Sequence, residues 1–194
     1  ANSMWQWDYK VSDNTMRFIP YVSDSSVVYA SSWTPVADTW YHIAVSKSGT
    51  SIKLWVDGTQ IGSTHTFSQT WDNEVKGMAI GHRAMGSYER DFEGYMSNLR
   101  IINGTALYTA NFTPPTTRLE KTSDTVFLAF QSPGDVLKEE TGKILYPATD
   151  GKSSAPAVAS RFAPDVGEDH GITFEDNTKF DTLSYMVPPG GTTT

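Results

Sequence analysis

Glu89, Asp91 and Glu93 are the side chains whose spacing comes nearest to a catalytic set. In an extended strand residues i, i+2 and i+4 share a face, so these three carboxylates could line one cleft. Two carboxyls about 5–5.5 Å apart are what retaining glycoside hydrolysis requires, one as nucleophile and the other as general acid and base. Gly86-Ser87 just upstream reads as loop, however, and a short acidic motif constrains function weakly. The preferred reading is a solvated acidic loop leading into the next strand, and no catalytic residue is assigned.

A second group is aromatic. Trp71 and Tyr88 stand in loop-like sequence with Asp72, Asn73, His82 and Arg83 nearby. Sugar rings stack their C–H faces on aromatic rings while polar neighbours orient the hydroxyls, so these six residues form the candidate carbohydrate-binding set. Packing of the aromatics into a second sheet is the competing reading, because Trp is usually largely buried. Trp33 and Tyr95 also lie in or beside loops. Trp55 differs from all of them: it falls on the strand face opposite Ile52, Leu54 and Val56. Only one face of a sandwich sheet is core, so a subunit interface is expected at Trp55.

Other chemistries find little support. Asp57, Asp72, Asn73 and Asp91 offer loop oxygens of the kind Ca2+ prefers, and Asp165–His170 is oxygen-rich, but the calcium-loop spacing is missing. His42, His65, His82 and His170 are scattered and form no H-E-x-x-H pair. Cysteine is absent, which removes disulfides, thiolate zinc sites and cysteine nucleophiles together. No phosphate-cradling glycine loop and no G-x-S-x-G elbow occurs. No metal or other cofactor is expected, Ca2+ being the one ion the loop oxygens would suit. Asn103-Gly-Thr and Asn111-Phe-Thr are formal glycosylation sequons, coincidental in a bacterial host.

The elements that must carry these residues follow from composition and periodicity. A chain of 194 residues suggests one domain plus an extension, at ~150 residues per domain. A net charge of −7 with a pI near 5.0 argues against nucleic acid as a partner, since phosphate neutralisation needs a basic stripe. No apolar run approaches the ~20 residues that span a bilayer, and the first ten residues lack a signal-peptide layout, so no membrane partner is expected. Aromatics at 12%, with 15 Gly and 10 Pro, point to a turn-rich β protein.

Strands are predicted at Trp40–Ser46, Ser51–Val56 and Thr59–Ile61, with Asp57-Gly58 as a two-residue hairpin turn. Further strands are expected at Met78–Ile80 and Tyr95–Ile102, the latter bulged at Ser97-Asn98, with weaker ones at Met16–Val22 and Ser26–Ser31. Many short strands between closely spaced turns make an all-β sandwich or jelly roll. All six tryptophans precede Thr117, and the remainder is more acidic and rich in Pro and Gly. Residues 1–130 are therefore expected to form the domain and 131–194 an extended, partly irregular arm with short strands.

Trp40-Tyr-His-Ile-Ala-Val-Ser46, the strand ending in Val56-Asp-Gly58, Ile80-Gly81 and Phe92-Glu-Gly-Tyr-Met-Ser-Asn-Leu-Arg-Ile101 together resemble the laminin-G-like jelly roll of the concanavalin A-like lectin/glucanase superfamily. The resemblance covers roughly residues 16–130 and implies a two-sheet antiparallel jelly roll. Asn103–Thr116 is similar to the version of this domain found in bacteriophage, especially marine phage, structural and tail proteins. The family's opening strand is missing, with Met4–Trp7 as a remnant of the next, which implies a piece of a longer polypeptide. Thr125–Phe130 has the character of the terminal strand. Laminarinase-type relatives use an E-x-D-x-E series as nucleophile, tuning Asp and acid/base, but carry an apolar residue where Arg90 stands.

The resemblance implies a non-enzymatic virion module, on a tail fibre, appendage or capsid surface, assembled in the host cytoplasm. Its expected partners are other virion proteins, further copies of itself and host surface glycan. Alternatives are a stand-alone carbohydrate-binding lectin domain and a laminarinase-type glycoside hydrolase. Short apolar strands in the arm would need a sheet edge to pair with, so Ile172, Phe174, Leu183 and Tyr185 are expected at an oligomer interface.

Overall fold

The computed structural model describes residues 5–22, 25–69, 78–85, 88–92, 94–132, 137–145 and 157–158. Among them the only helix is a single 3-10 turn at Val11–Asp13. Strand pairings are antiparallel except for a two-residue parallel contact. The fold is thus all-β, as a concanavalin A-like jelly roll requires. The chain divides into two compact units, one of Ala1–Met78 with Thr105–Pro114, the other of Ala79–Gly104 with Pro115–Thr194.

In the first unit β1 (Trp5–Lys10), β2 (Thr15–Val22), β3 (Ser25–Ser26) and β4 (Tyr29–Ser32) form one sheet. The β1–β2 turn closes at Asn14, which adopts a left-handed φ of 49°. Asp8 lies opposite Arg17 in the register and accepts from its Nε at 2.7 Å and from its terminal amine at 2.6 Å. A second sheet has the order β5 (Ile43–Ser48), β6 (Ser51–Val56) and β7 (Thr59–Thr66). Met16 and Phe18 from the first sheet, Ile52 and Leu54 from the second, and Phe67 make the core between them. Met16, Phe18, Ile52 and Leu54 are strand residues of the right parity, so alternation alone aims them inward, and Phe67 follows directly on the end of β7.

The β6–β7 turn is built as expected: Asp57 and Gly58 have φ of 47° and 78°, the two left-handed positions of a two-residue hairpin. Strand β5 begins at Ile43 rather than at Trp40. Asp57 explains the boundary. Its Oδ1 accepts from the His42 backbone N–H at 2.8 Å, and its own N–H donates to the His42 carbonyl at 2.8 Å. The turn side chain thus takes over where strand pairing would have continued.

In the second unit β8 (His82–Met85) pairs with β9 (Tyr88–Asp91), β10 (Tyr95–Met96) with β13 (Ala157–Val158), and β11 (Leu99–Ile102) with β12 (Thr125–Ala129). Met78–Ile80, predicted as a strand, is irregular. The predicted bulge at Ser97-Asn98 is a full break between β10 and β11. Asn98 adopts φ 56°, donates its backbone N–H to the Phe130 carbonyl at 2.9 Å, and accepts from Leu119 N at 3.2 Å and Gln131 Nε2 at 3.3 Å. A side chain that satisfies other segments in this way favours the turn over the ladder.

Part of the region expected as an arm returns to its own unit. Glu139 bridges to Ala129, and Glu140 N–H donates to the Leu128 carbonyl at 2.9 Å.

Candidate functional site

The register of β5 with β6 sets Ser46 opposite Lys53, Ser48 opposite Ser51 and Ala44 opposite Trp55. Paired residues share a face, so one side of this hairpin carries a series of hydroxyls, one ammonium and one indole. Its other side carries Ile52 and Leu54 into the core.

The indole-bearing side is covered as well, which corrects the expectation for Trp55. Trp55 is only 1% exposed, so its contact is within the chain rather than with another subunit. The cover is Thr105–Pro114. Phe112 meets Trp55 edge-on at 5.6 Å, Tyr108 stacks flat on Phe112 at 3.6 Å, and His42 meets both rings edge-on. Three hydrogen bonds hold the segment down: Phe112 N–H to the Gly58 carbonyl at 2.9 Å, Gln60 N–H to Asn111 Oδ1 at 3.2 Å, and Lys53 Nζ to the Thr109 carbonyl at 2.6 Å. Trp55 satisfies its own buried donor by giving Nε1–H to Ser46 Oγ at 2.9 Å.

Where the cover ends, a cleft opens. It is lined by Ser46, Ser48, Ser51, Lys53, Tyr108 and Thr109 and encloses about 170 Å³. It is a small recess, half open to solvent, rather than a closed cavity. The lining is rich in donors and acceptors and contains no carboxylate. Lys53 Nζ also lies 5.6 Å from the centre of the Trp55 ring, a cation–π distance, so the ammonium is positioned from two sides.

The residues proposed from sequence fall elsewhere. Trp71, Asp72, Asn73, Glu93, Ile172, Phe174, Leu183 and Tyr185 lie outside the described residues. His82, Arg83, Tyr88, Glu89 and Asp91 are brought onto one hairpin. Its register sets His82 opposite Asp91, Arg83 opposite Arg90, Ala84 opposite Glu89 and Met85 opposite Tyr88, and Phe92 N–H closes it onto the Gly81 carbonyl at 2.8 Å. Asp57, weighed as an ion ligand, is engaged in the turn with His42. Among the described residues no three His, Asp or Glu side chains gather to hold a metal ion, and no helix is long and apolar enough to cross a membrane. Trp33, read as a loop aromatic, packs edge-on against Tyr9 at 5.7 Å and Tyr41 at 5.1 Å.

Sequence reasoning missed the cleft. Its signal was the alternation of small hydroxyl residues at Ser46, Ser48 and Ser51 beside Lys53, on the same side as an indole. A laminin G-type model of the concanavalin A-like lectin/glucanases superfamily matches residues 1–110, a span that includes every residue lining the cleft. No curated protein and no solved structure matches the chain.

Proposed function

The chain belongs to the concanavalin A-like lectin/glucanase superfamily, and from that premise we propose that it is a carbohydrate-binding module with no hydrolytic activity of its own. The observation that carries this reading is the cleft on the β5–β6 hairpin: four hydroxyl side chains, an ammonium and a tyrosine around a volume of about 170 Å³. Such a lining recognises a sugar's hydroxyls by hydrogen bonding. It supplies none of the paired carboxyls that glycoside cleavage demands.

The test is a glycan array probed with the wild type and with Ser48→Phe. Ser48 is exposed at the cleft's edge, so a bulky ring there obstructs the site without entering the core. Binding to a subset of glycans, lost in Ser48→Phe with an unchanged melting temperature, is the expected result. An array blank for the wild type sinks the reading. Release of reducing ends from laminarin-like or agar-like polymers, abolished by Glu89→Gln, would restore the hydrolase instead.

Placement on a phage particle, with virion proteins and further copies of the chain as partners, is supported by the resemblance of Asn103–Thr116 alone. Within the unit, most of that segment has another task, which is to cover Trp55.

A further inference from the structure

We propose that the saccharide taken by this cleft is anionic, carrying a carboxylate or a sulfate on the ring, and that Lys53 selects it. This deepens the carbohydrate-binding reading and rests on it.

Three observations converge. The first is the composition of the lining: one cation and no carboxylate, in a chain whose net charge is −7. Acidic residues outnumber basic ones along the chain, 22 to 15, yet none is among the six that line this cleft. The second is the state of Lys53. Its Nζ donates to the Thr109 carbonyl at 2.6 Å and stands near the Trp55 ring, two neutral partners that orient the ammonium without neutralising it. An ammonium has three N–H donors, so others remain for a ligand. The third is geometry. Lys53 lies opposite Ser46 and two positions from Ser51, so hydroxyls flank the cation on the same hairpin face. An anionic substituent at Lys53 would place the ring's hydroxyls beside Ser46, Ser48 and Ser51. A charge-assisted bond is roughly twice as strong as a neutral one, which makes the substituent the anchor and the hydroxyl contacts the fit.

The experiment titrates the full chain with three probes, galacturonate trisaccharide, sulfated galactotriose and neutral galactotriose, followed by backbone amide NMR shifts. Either acidic probe should bind at least tenfold more tightly than the neutral one, with shifts centred on residues 46–53 and 108–109. Preference for one acidic probe over the other identifies the anion. Lys53→Met keeps the aliphatic stem and removes the charge, so it should abolish the preference while leaving the melting temperature within a few degrees. Raising salt to 0.5 M should narrow the gap between acidic and neutral probes. Equal affinities for all three probes, or a preference surviving in Lys53→Met, overturn the inference and leave carbohydrate binding standing. Shifts confined to residues 82–91 overturn it as well, by moving the site. No binding of any probe overturns it, and a blank glycan array then decides against carbohydrate binding itself.

Discussion

At the scale of single residues, Gly58 meets two constraints at once. Its φ of 78° already favours glycine, and a Cβ built there would stand 1.8 Å from the Phe112 carbonyl oxygen. The obstacle is backbone that is itself hydrogen-bonded to Gly58, so it cannot swing aside. Left-handed strain alone costs ~1–2 kcal/mol, so Gly58→Val should exceed that in urea unfolding and should redden Trp55 fluorescence by lifting the cover. Gly58→Ala losing no more than the turn penalty would show that the irregular segment around Phe112 yields freely. Gly62 is comparable, with φ 63° and a built Cβ 2.4 Å from Ser31 Oγ. The turn itself was legible in the sequence, since Asp-Gly after an alternating strand has few other meanings. What the sequence did not disclose is that Gly58 is also a docking point, because Phe112 follows it by 54 residues and no local pattern links them. The misplacement of Trp55 at a subunit interface has the same cause. Its parity was read correctly, but the segment that buries it was not recognised as a cover.

At the scale of elements, Glu139 fastens the segment after residue 136 to the edge of β12. Its carboxylate accepts from the backbone N–H groups of Leu128, Thr141 and Lys143, each at 2.8 Å, and from the Thr141 hydroxyl at 2.7 Å. Partial burial pushes its pKa up, but these four donors outweigh it and hold the carboxyl at about 2, from an ordinary 4.5. A depressed carboxyl stabilises the fold fully above its unfolded value, and the contribution drains away as pH falls from about 4.5 to about 2. Glu139→Gln should therefore lower the melting temperature at pH 6, and the difference from wild type should shrink by pH 2.5. Thermal melts across that window check it; a constant difference would place the effect in packing rather than charge. Strand boundaries were less readable than strand existence. β6 stands where alternation put it and β12 close to the terminal strand that the family resemblance implied, whereas Tyr95–Ile102 splits because Asn98 serves three other groups.

At the scale of the whole molecule, the expected assembly through the C-terminal arm, residues 131–194, is open to test by truncation. Residues 139–143 and Ala157–Val158 already pair within the chain, so if the arm carries an assembly contact, the segment beyond them is the one to test. A chain truncated after Val158 keeps both contacts and should remain monomeric, while the full chain associates; light scattering at matched concentration separates the two. Identical masses for both, each monomeric, would refute assembly through the tail.

The distance along the chain between Trp55 and its cover has a consequence in time. Phe112 is synthesised 57 residues after Trp55, which at ~5–20 residues per second is a delay of roughly 3–11 s. Throughout that interval the β5–β6 hairpin can form, since its contacts are local, yet its indole remains wet. The nascent chain therefore passes through a stage that presents an aromatic patch beside unpaired sheet edges, the kind of surface that chaperones hold and that neighbouring nascent chains adhere to. Ser46 and Lys53 are the indole's polar neighbours on that face in the folded unit, placed on the same hairpin and so beside it before Thr105–Pro114 arrives. The same two side chains later line the cleft.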